Sequence, residues 1–412
     1  VRELWVRIAH ASGARVYTLL VAVATLVVTA RWLGPEGRGV LAAVTTWVGL
    51  FSTFGSLSLG QVAIHRATER RGEPWLGESL GTLLLLTSLI SVAGWGIAAL
   101  LWFTTGGSVY HGIAPRLLAV GFAMLPFLLW EQYGSSLLTA IDRLSVYNNA
   151  QFVGRTIGLL VIVAMAAGGA GVMGALIGIV ASQVVVGAAG IRELFRRAEG
   201  AARASMDTLR GMVGSGMKLH LNAVGMFLVM STDVLIINYY RGPAETGYYQ
   251  LASQLVNTML VVPQAAAMVF YGKVAQLGAD GAWPYHRKMI RALMLAAIPL
   301  AAIAAVLAPF VIPLVGGKSF APAISPFRWL LLAVLGMTFA TLLAPQWIGR
   351  GFFWQASLLT GALGVMNLVI SLLWVPKYGI YGSVLGTVIT YAVAVVINGW
   401  MFVYCDRGLR PA

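Results

Sequence analysis

Six ionisable side chains sit inside, or at the ends of, long apolar runs, where charges are costly and are kept for pairing, wetting or transport. Two are carboxylates: Asp233 in Met230-Ser231-Thr232-Asp233-Val234 and Glu131 in Trp130-Glu131-Gln132-Tyr133. Asp233 could hold a proton or a sodium ion, or pair with a cation on a neighbouring helix. Glu131 could line a hydrated cavity or take local hydrogen bonds. The other four are cations, Arg15, Arg155, Lys218 and Arg291. Each could snorkel to an interface, or several together could ring a vestibule that draws in an anion. Arginine suits bidentate contact with phosphate, and four cations against two deep carboxylates favour an anionic cargo over a cationic one.

At 100° per residue, polar neighbours of these groups fall into stripes. Arg15, Thr18, Thr25 and Thr29 share one helix face; Lys218, Asn222 and Asp233 share another; Gln250, Gln254, Asn257 and Gln264 share a third. Such stripes fit the lining of a common cavity. Nothing in the chain arranges Ser, His and Asp for nucleophilic catalysis, and no glycine loop is built to cradle a phosphate. The single Cys405 excludes an intramolecular disulfide and a cysteine metal site, and five scattered histidines add no ligand spacing. No metal and no cofactor is therefore expected beyond a coupling proton or sodium ion.

The elements that carry these residues must be membrane helices. With 59% hydrophobic and 10% charged residues in 412, the chain lacks the polar surface a water-soluble body would need. Apolar runs of about 20 residues without period-2 alternation point to helices rather than barrel strands. Spans are expected near 12–31, 39–63, 79–104, 116–138, 150–168 and 172–190, then 214–238, 246–270, 289–315, 325–348, 352–373 and 379–403. With a cytoplasmic N-terminus, 21 of the 28 Lys and Arg residues fall on the inner side and 7 outside. The positive-inside rule then places both termini in the cytoplasm. A net charge of +14 is accordingly read as topology, with no nucleic-acid partner.

The chain repeats itself at half its length. Gly34-Pro35 recurs as Gly242-Pro243, Gly39 as Gly247, and Gly171, Gly174 and Gly178 as Gly379, Gly382 and Gly386, each pair 208 residues apart; Gly154 and Gly361 differ by 207. Six spans per half make the repeats parallel, related by an axis along the membrane normal. The expected fold is an all-α integral membrane protein of about twelve transmembrane helices. These form two pseudo-symmetric six-helix lobes around a central cavity: residues 1–190, a cytoplasmic amphipathic linker over 191–213 on the inner leaflet, and residues 214–412. The Gly-x-x-x-Gly spacings are read as helix packing. Glu36 and Glu245, beside Arg31, Arg38 and Arg241, are ordinary exposed charges or ion pairs at an outer gate.

Two stretches resemble a known family. Ala30-Arg31-Trp32-Leu33-Gly34-Pro35-Glu36-Gly37-Arg38-Gly39 resembles the first connection of the polysaccharide transporter (Wzx-like oligosaccharide flippase) family. Gly216 to Asn222, Asp233 to Tyr240, and Gly242-Pro243 through Gly247-Tyr248-Tyr249 resemble its seventh and eighth spans. The resemblance implies membership of the multidrug, oligosaccharidyl-lipid and polysaccharide exporter superfamily and alternating access, often with coupling to a cation gradient. It also implies a cargo, a polyprenyl-pyrophosphate-linked oligosaccharide moved from the inner to the outer leaflet of the cell's inner (cytoplasmic) membrane. Arg15, Arg155, Lys218 and Arg291 would then meet the pyrophosphate, while Thr18, Thr25, Glu131, Asn222, Gln250, Gln254 and Asn257 line the cavity. Asp233 would couple the cation. A monomer in the lipid bilayer is expected, working beside other polysaccharide-assembly membrane proteins. Competing readings are a drug or cation antiporter, a peptidoglycan lipid flippase, and a membrane glycosyl polymerase or ligase. The first would carry an acidic residue in span one, where residues 11–30 have none; the last would need a large external loop.

Overall fold

A computed structural model describes the backbone of residues 2–69, 75–198 and 201–408, and side chains for 17, 19–67, 75–198, 201–217 and 220–408. The described residues are predominantly helical, with no strand. In order the helices are α1 (Arg2–Ser56), α2 (Leu59–Glu69), α3 (Leu76–Thr105), α4 (Pro115–Phe122), α5 (Leu125–Ala140), α6 (Leu144–Ala167) and α7 (Gly171–Arg197). There follow α8 (Met206–Met230), α9 (Thr232–Arg241), α10 (Pro243–Met259), α11 (Val261–Gly316), α12 (Ile324–Gly349), α13 (Phe353–Tyr378) and α14 (Ile380–Asp406). Among the described residues, nine helical stretches are long and apolar enough to cross a membrane, or ten if the bent pair Met206–Met217 and His220–Met230 forms one span. Two of the nine, Leu19–Ser56 and Val261–Gly316, contain a glycine with non-helical torsions, Gly34 and Gly278, and each therefore joins two helices. The protein is a multi-span membrane protein; its apolar stretches are counted differently from the twelve separate spans of the sequence reading because these helices run on through their turns.

The chain divides into two compact units, Val1–Ala223 and Val224–Ala412. The division falls inside α8. The stretch read as an amphipathic linker is built otherwise: α7 continues to Arg197, and α8 begins at Met206. Between them the chain docks within its own unit. A side chain on Gly81 of α3 would strike the Arg203 backbone at 2.6 Å, the Ser205 amide donates to Thr82 Oγ1 at 3.1 Å, and Arg66 donates to Thr208 Oγ1 at 2.8 Å.

The half-length repeat is a repeat of backbone conformation. Gly34 (φ 65°, ψ −176°) and Gly242 (φ 84°, ψ 179°) adopt a region open essentially to glycine alone. Each hands over to a proline, Pro35 or Pro243, whose fixed φ suits the first helical position and whose missing N–H costs nothing there. Gly171 and Gly379 likewise share positive φ, 55° and 59°.

Small residues bring the helices together. In the first unit a Cβ on Gly178 of α7 would meet the Gly158 carbonyl of α6 at 2.8 Å, and one on Gly154 would meet the Ser182 carbonyl at 2.8 Å. In the second, a Cβ on Gly225 would lie 2.7 Å from the Gly361 nitrogen. The sequence reading of these glycines as packing positions holds. Lipid offers no hydrophobic drive for helix association, so such close approach supplies the dispersion contacts that replace it. Leu80, Leu83, Leu125, Leu129 and Tyr133 centre the first core; Phe270, Ile290, Leu342, Leu343 and Met401 centre a cluster in the second.

Candidate functional site

Two polar networks lie within the apolar helices, one in each unit. The deeper surrounds Asp233. Helix α8 ends at Met230, Ser231 leaves the helical region (φ −133°), and α9 restarts at Thr232, so Asp233 stands in the first turn of a new helix. There the unsatisfied N–H groups and the helix dipole favour a negative charge. Its side chain is 1% exposed. Tyr249 of α10 donates to Oδ2 at 2.6 Å, Thr387 of α14 to Oδ2 at 3.1 Å, and Ser371 of α13 to Oδ1 at 2.8 Å. Ser371 Oγ also lies 3.3 Å from Asn367 Oδ1 and 3.5 Å from Ser383 Oγ. A hydroxyl has one proton, and with Ser371 giving its own to Asp233 the Asn367 oxygen is left as an open acceptor. Asn367 is itself fully buried, and its amide nitrogen has no partner among the described residues.

No basic side chain enters this cluster among the described residues; the side chains of the candidate cations Arg15 and Lys218 lie outside them. The result is a buried nest of oxygen atoms around one carboxylate. Oxygen-only sets suit hard cations or a shared proton. Among the described residues no group of three His, Cys, Asp or Glu side chains could hold a metal ion.

The second network joins two residues singled out from the sequence, Glu131 and Arg155. Glu131 of α5 accepts from Tyr147 OH at 2.8 Å and from Gln151 Nε2, and Tyr147 and Gln151 also bond each other at 2.8 Å. Gln151 Oε1 in turn accepts from Arg155 Nε at 2.7 Å. Tyr147, Gln151 and Arg155 are one turn apart on α6, so they share a face. Arg155 is exposed, and among the described residues its terminal nitrogens have no protein partner. A carboxylate thus fixes an amide, and the amide holds a guanidinium by its Nε. Nearby Tyr17 bonds Thr156 Oγ1 at 2.6 Å and stacks on Phe152 at 4.0 Å between centroids.

The remaining sequence candidates are scattered. The side chains of Arg15, Thr18 and Lys218 lie outside the described residues. Thr25 returns its hydroxyl to the Val21 carbonyl at 2.8 Å, and Thr29 bonds the Thr25 carbonyl at 2.6 Å while accepting from Arg38 at 2.9 Å. Such back-bonding is the usual outlet for a threonine in an apolar helix. Asn222 and Asn257 are exposed, and Gln250 and Gln254 half-buried. Arg291 is exposed and lies over the Phe402 ring, 5.9 Å from its centroid. Glu245 is occupied within its own unit, by Arg241 at 3.0 Å and by the Ile380 amide at 3.2 Å. Tyr249, Asn367, Ser371, Ser383 and Thr387 were not foreseen. Their signal was available as two pairs of polar residues four apart, Asn367 with Ser371 and Ser383 with Thr387, in adjacent apolar spans.

A family model described as polysaccharide biosynthesis protein matches residues 28–325. No curated protein sequence matches the chain. Among solved structures, the fold is similar to that of the lipid II flippase MurJ in an inward closed conformation, with TM-score 0.79 at 12% identity over 97% of this chain and 87% of that one. It is also similar to an inward-facing multidrug resistance transporter of the MATE family and MOP superfamily, with TM-score 0.72 at 17% identity over 95% and 96%. A third similar structure is a MOP superfamily transporter from Pyrococcus furiosus, with TM-score 0.64 at 16% identity over 95% and 94%. At these identities the likeness is one of fold.

Proposed function

The chain belongs to the polysaccharide biosynthesis protein family, and on that premise we propose that it is a flippase for a polyprenyl-pyrophosphate-linked oligosaccharide. It works in the cytoplasmic membrane, with both termini inside, and carries its cargo from the inner to the outer leaflet by alternating access. The observation that carries this reading is Arg155. Its guanidinium is held by one nitrogen through Gln151 and Glu131, leaving the others for an incoming ligand. A planar fork with open donors recognises phosphate oxygens, and a pyrophosphate is the charged part of such a lipid. Arg15 and Lys218 extend the same positive character in the proposal. Glu131, Asn222, Gln250, Gln254 and Asn257 supply donors and acceptors for sugar hydroxyls.

Asp233 is the coupling site of the proposal. A carboxylate in an oxygen nest changes charge when it takes up a proton or a sodium ion, and burial makes that change large in free energy. Such a group prefers one conformation loaded and another empty, the requirement for driving a two-state carrier. The test is a leaflet assay in vesicles containing the protein and a short sugar diphosphate lipid. Arg155→Gln should lower the initial rate of lipid delivery on the order of tenfold, the loss of about one charged hydrogen-bonded contact. Unchanged delivery in a folded Arg155→Gln protein removes the anion-binding step from this account. A drug antiporter of the same superfamily would instead leave sugar lipid untouched and move a cation.

A further inference from the structure

The second unit contains a cleft of about 480 Å³ between the later half of α11, α12 and α14. Its walls are hydrocarbon, including Met294, Leu335, Phe339 and Val395, and the one charged group that lines it is Arg291. A volume of this order is that of a small-molecule site, but the lining holds no hydroxyl or amide side chain with which to recognise a sugar or a base. An apolar chain can lie here; a polar head other than an anion cannot be read.

Three further observations narrow the occupant. A Cβ on Gly399 would meet nothing within 4 Å, so the α14 wall is open where that residue stands in the lining. The flank of α14 beside it, Val396, Trp400 and Val403, is exposed; an apolar rim with a tryptophan is the character of a helix end at the headgroup level of a bilayer. The same end of the unit is strongly basic. Arg287 pairs with Asp406 at 2.5 Å and Arg350 with Asp280 at 2.7 Å, whereas Lys288, Arg291 and Arg407 form no close ion pair among the described residues, Asp406 reaching Arg291 only at longer range. Arg291 donates no hydrogen bond within the described residues; its guanidinium lies over the face of Phe402, which also lines the cleft, and feels Asp406 at longer range.

We propose that this cleft is a site for an anionic phospholipid of the surrounding membrane, with one acyl chain in the groove and the phosphate on Arg291. The site lies among helices of one unit, and in this proposal Arg291 serves a membrane lipid in place of the cargo's pyrophosphate that the family resemblance assigns to it. Its chemistry asks for a chain and a small negative head, which a phosphatidylglycerol has and a glycan-bearing lipid exceeds.

Purified full-length protein titrated with phosphatidylglycerol or phosphatidylcholine, and read by native mass spectrometry, tests this. Phosphatidylglycerol should be the last lipid released, with phosphatidylcholine lost earlier. Arg291→Gln removes the cation, and Gly399→Leu fills the groove while raising helix propensity, so the chain still folds. Arg291→Gln should weaken phosphatidylglycerol retention about fivefold, the worth of one basic residue at an anionic surface, and Gly399→Leu should weaken it by displacing the acyl chain. Melting of the lipid-free variants should match the parent. Equal retention of phosphatidylglycerol by the parent and both variants overturns the proposal. So does equal retention of the two phospholipids by the parent, or preferential retention of a polyprenyl phosphate that Gly399→Leu abolishes.

Discussion

Asp233 is held by three hydroxyls from three helices, and each of them is made answerable to one carboxylate. Tyr249→Phe removes the shortest of these bonds and strands part of a buried charge. It should lower unfolding stability by about 1.5–3 kcal/mol, read as a fall in the thermal midpoint in detergent. Asp233→Asn keeps the shape and removes the charge. Delivery of sugar lipid should then be insensitive to an imposed proton or sodium gradient, while ungated exchange persists. A gradient response that survives Asp233→Asn places the coupling elsewhere. At this scale the sequence was informative about which residues were out of place in hydrocarbon and uninformative about their partners. Asp233 and Glu131 were legible because a carboxylate inside an apolar run has few bland explanations. Ser371 and Thr387 were not, because in a helix such hydroxyls generally turn back on their own carbonyls, as Thr25 and Thr29 do here. Whether a hydroxyl turns outward depends on what the facing helix offers, and no single-helix pattern contains that.

The breaks between helices are as functional as the helices. The interruption at Ser231 places Asp233 in the first turn of α9, and neither glycine nor proline marks it in the sequence, where the apolar run reads as one span over 214–238. The breaks at Gly34 and Gly242 were legible, since Gly-Pro at a repeated spacing has a plain turn meaning. A substitution tests them directly. Gly242→Ala forces a Cβ into φ 84° and should destabilise the protein by about 1–3 kcal/mol, and Gly34→Ala should do the same in the first half. A smaller effect at both than at an exposed helical glycine, such as Gly272, which meets nothing within 4 Å, would mean that the turns relax freely. Helix contacts are a separate case. Gly225→Val would drive its side chain into the Gly361 backbone at 2.7 Å, which has no rotamer escape. Reduced yield and a lowered thermal midpoint are expected, with the folded fraction still selective for its lipid.

Across the whole chain the repeat copies the backbone and leaves the chemistry uneven. At the half-length offset Asp233 corresponds to Thr25, Tyr249 to Leu41, Ser383 to Ala175 and Thr387 to Ile179, and at the offset of span five Ser371 corresponds to Ala164. The oxygen nest therefore belongs to the second unit alone, and the Glu131, Gln151 and Arg155 relay to the first. Under the function proposed above, the second unit would take the coupling ion and the first the anionic head, and ion and cargo would have to bias the same conformational change. The most direct measurement is the fraction of a fluorescent polyprenyl-diphosphate oligosaccharide reaching the far leaflet of sealed vesicles, read by impermeant quencher, with and without an imposed sodium or proton gradient. A flippase coupled through Asp233 delivers the lipid faster with one of the gradients present, and loses that acceleration in Asp233→Asn. Delivery no faster than in protein-free vesicles, under every gradient, contradicts it.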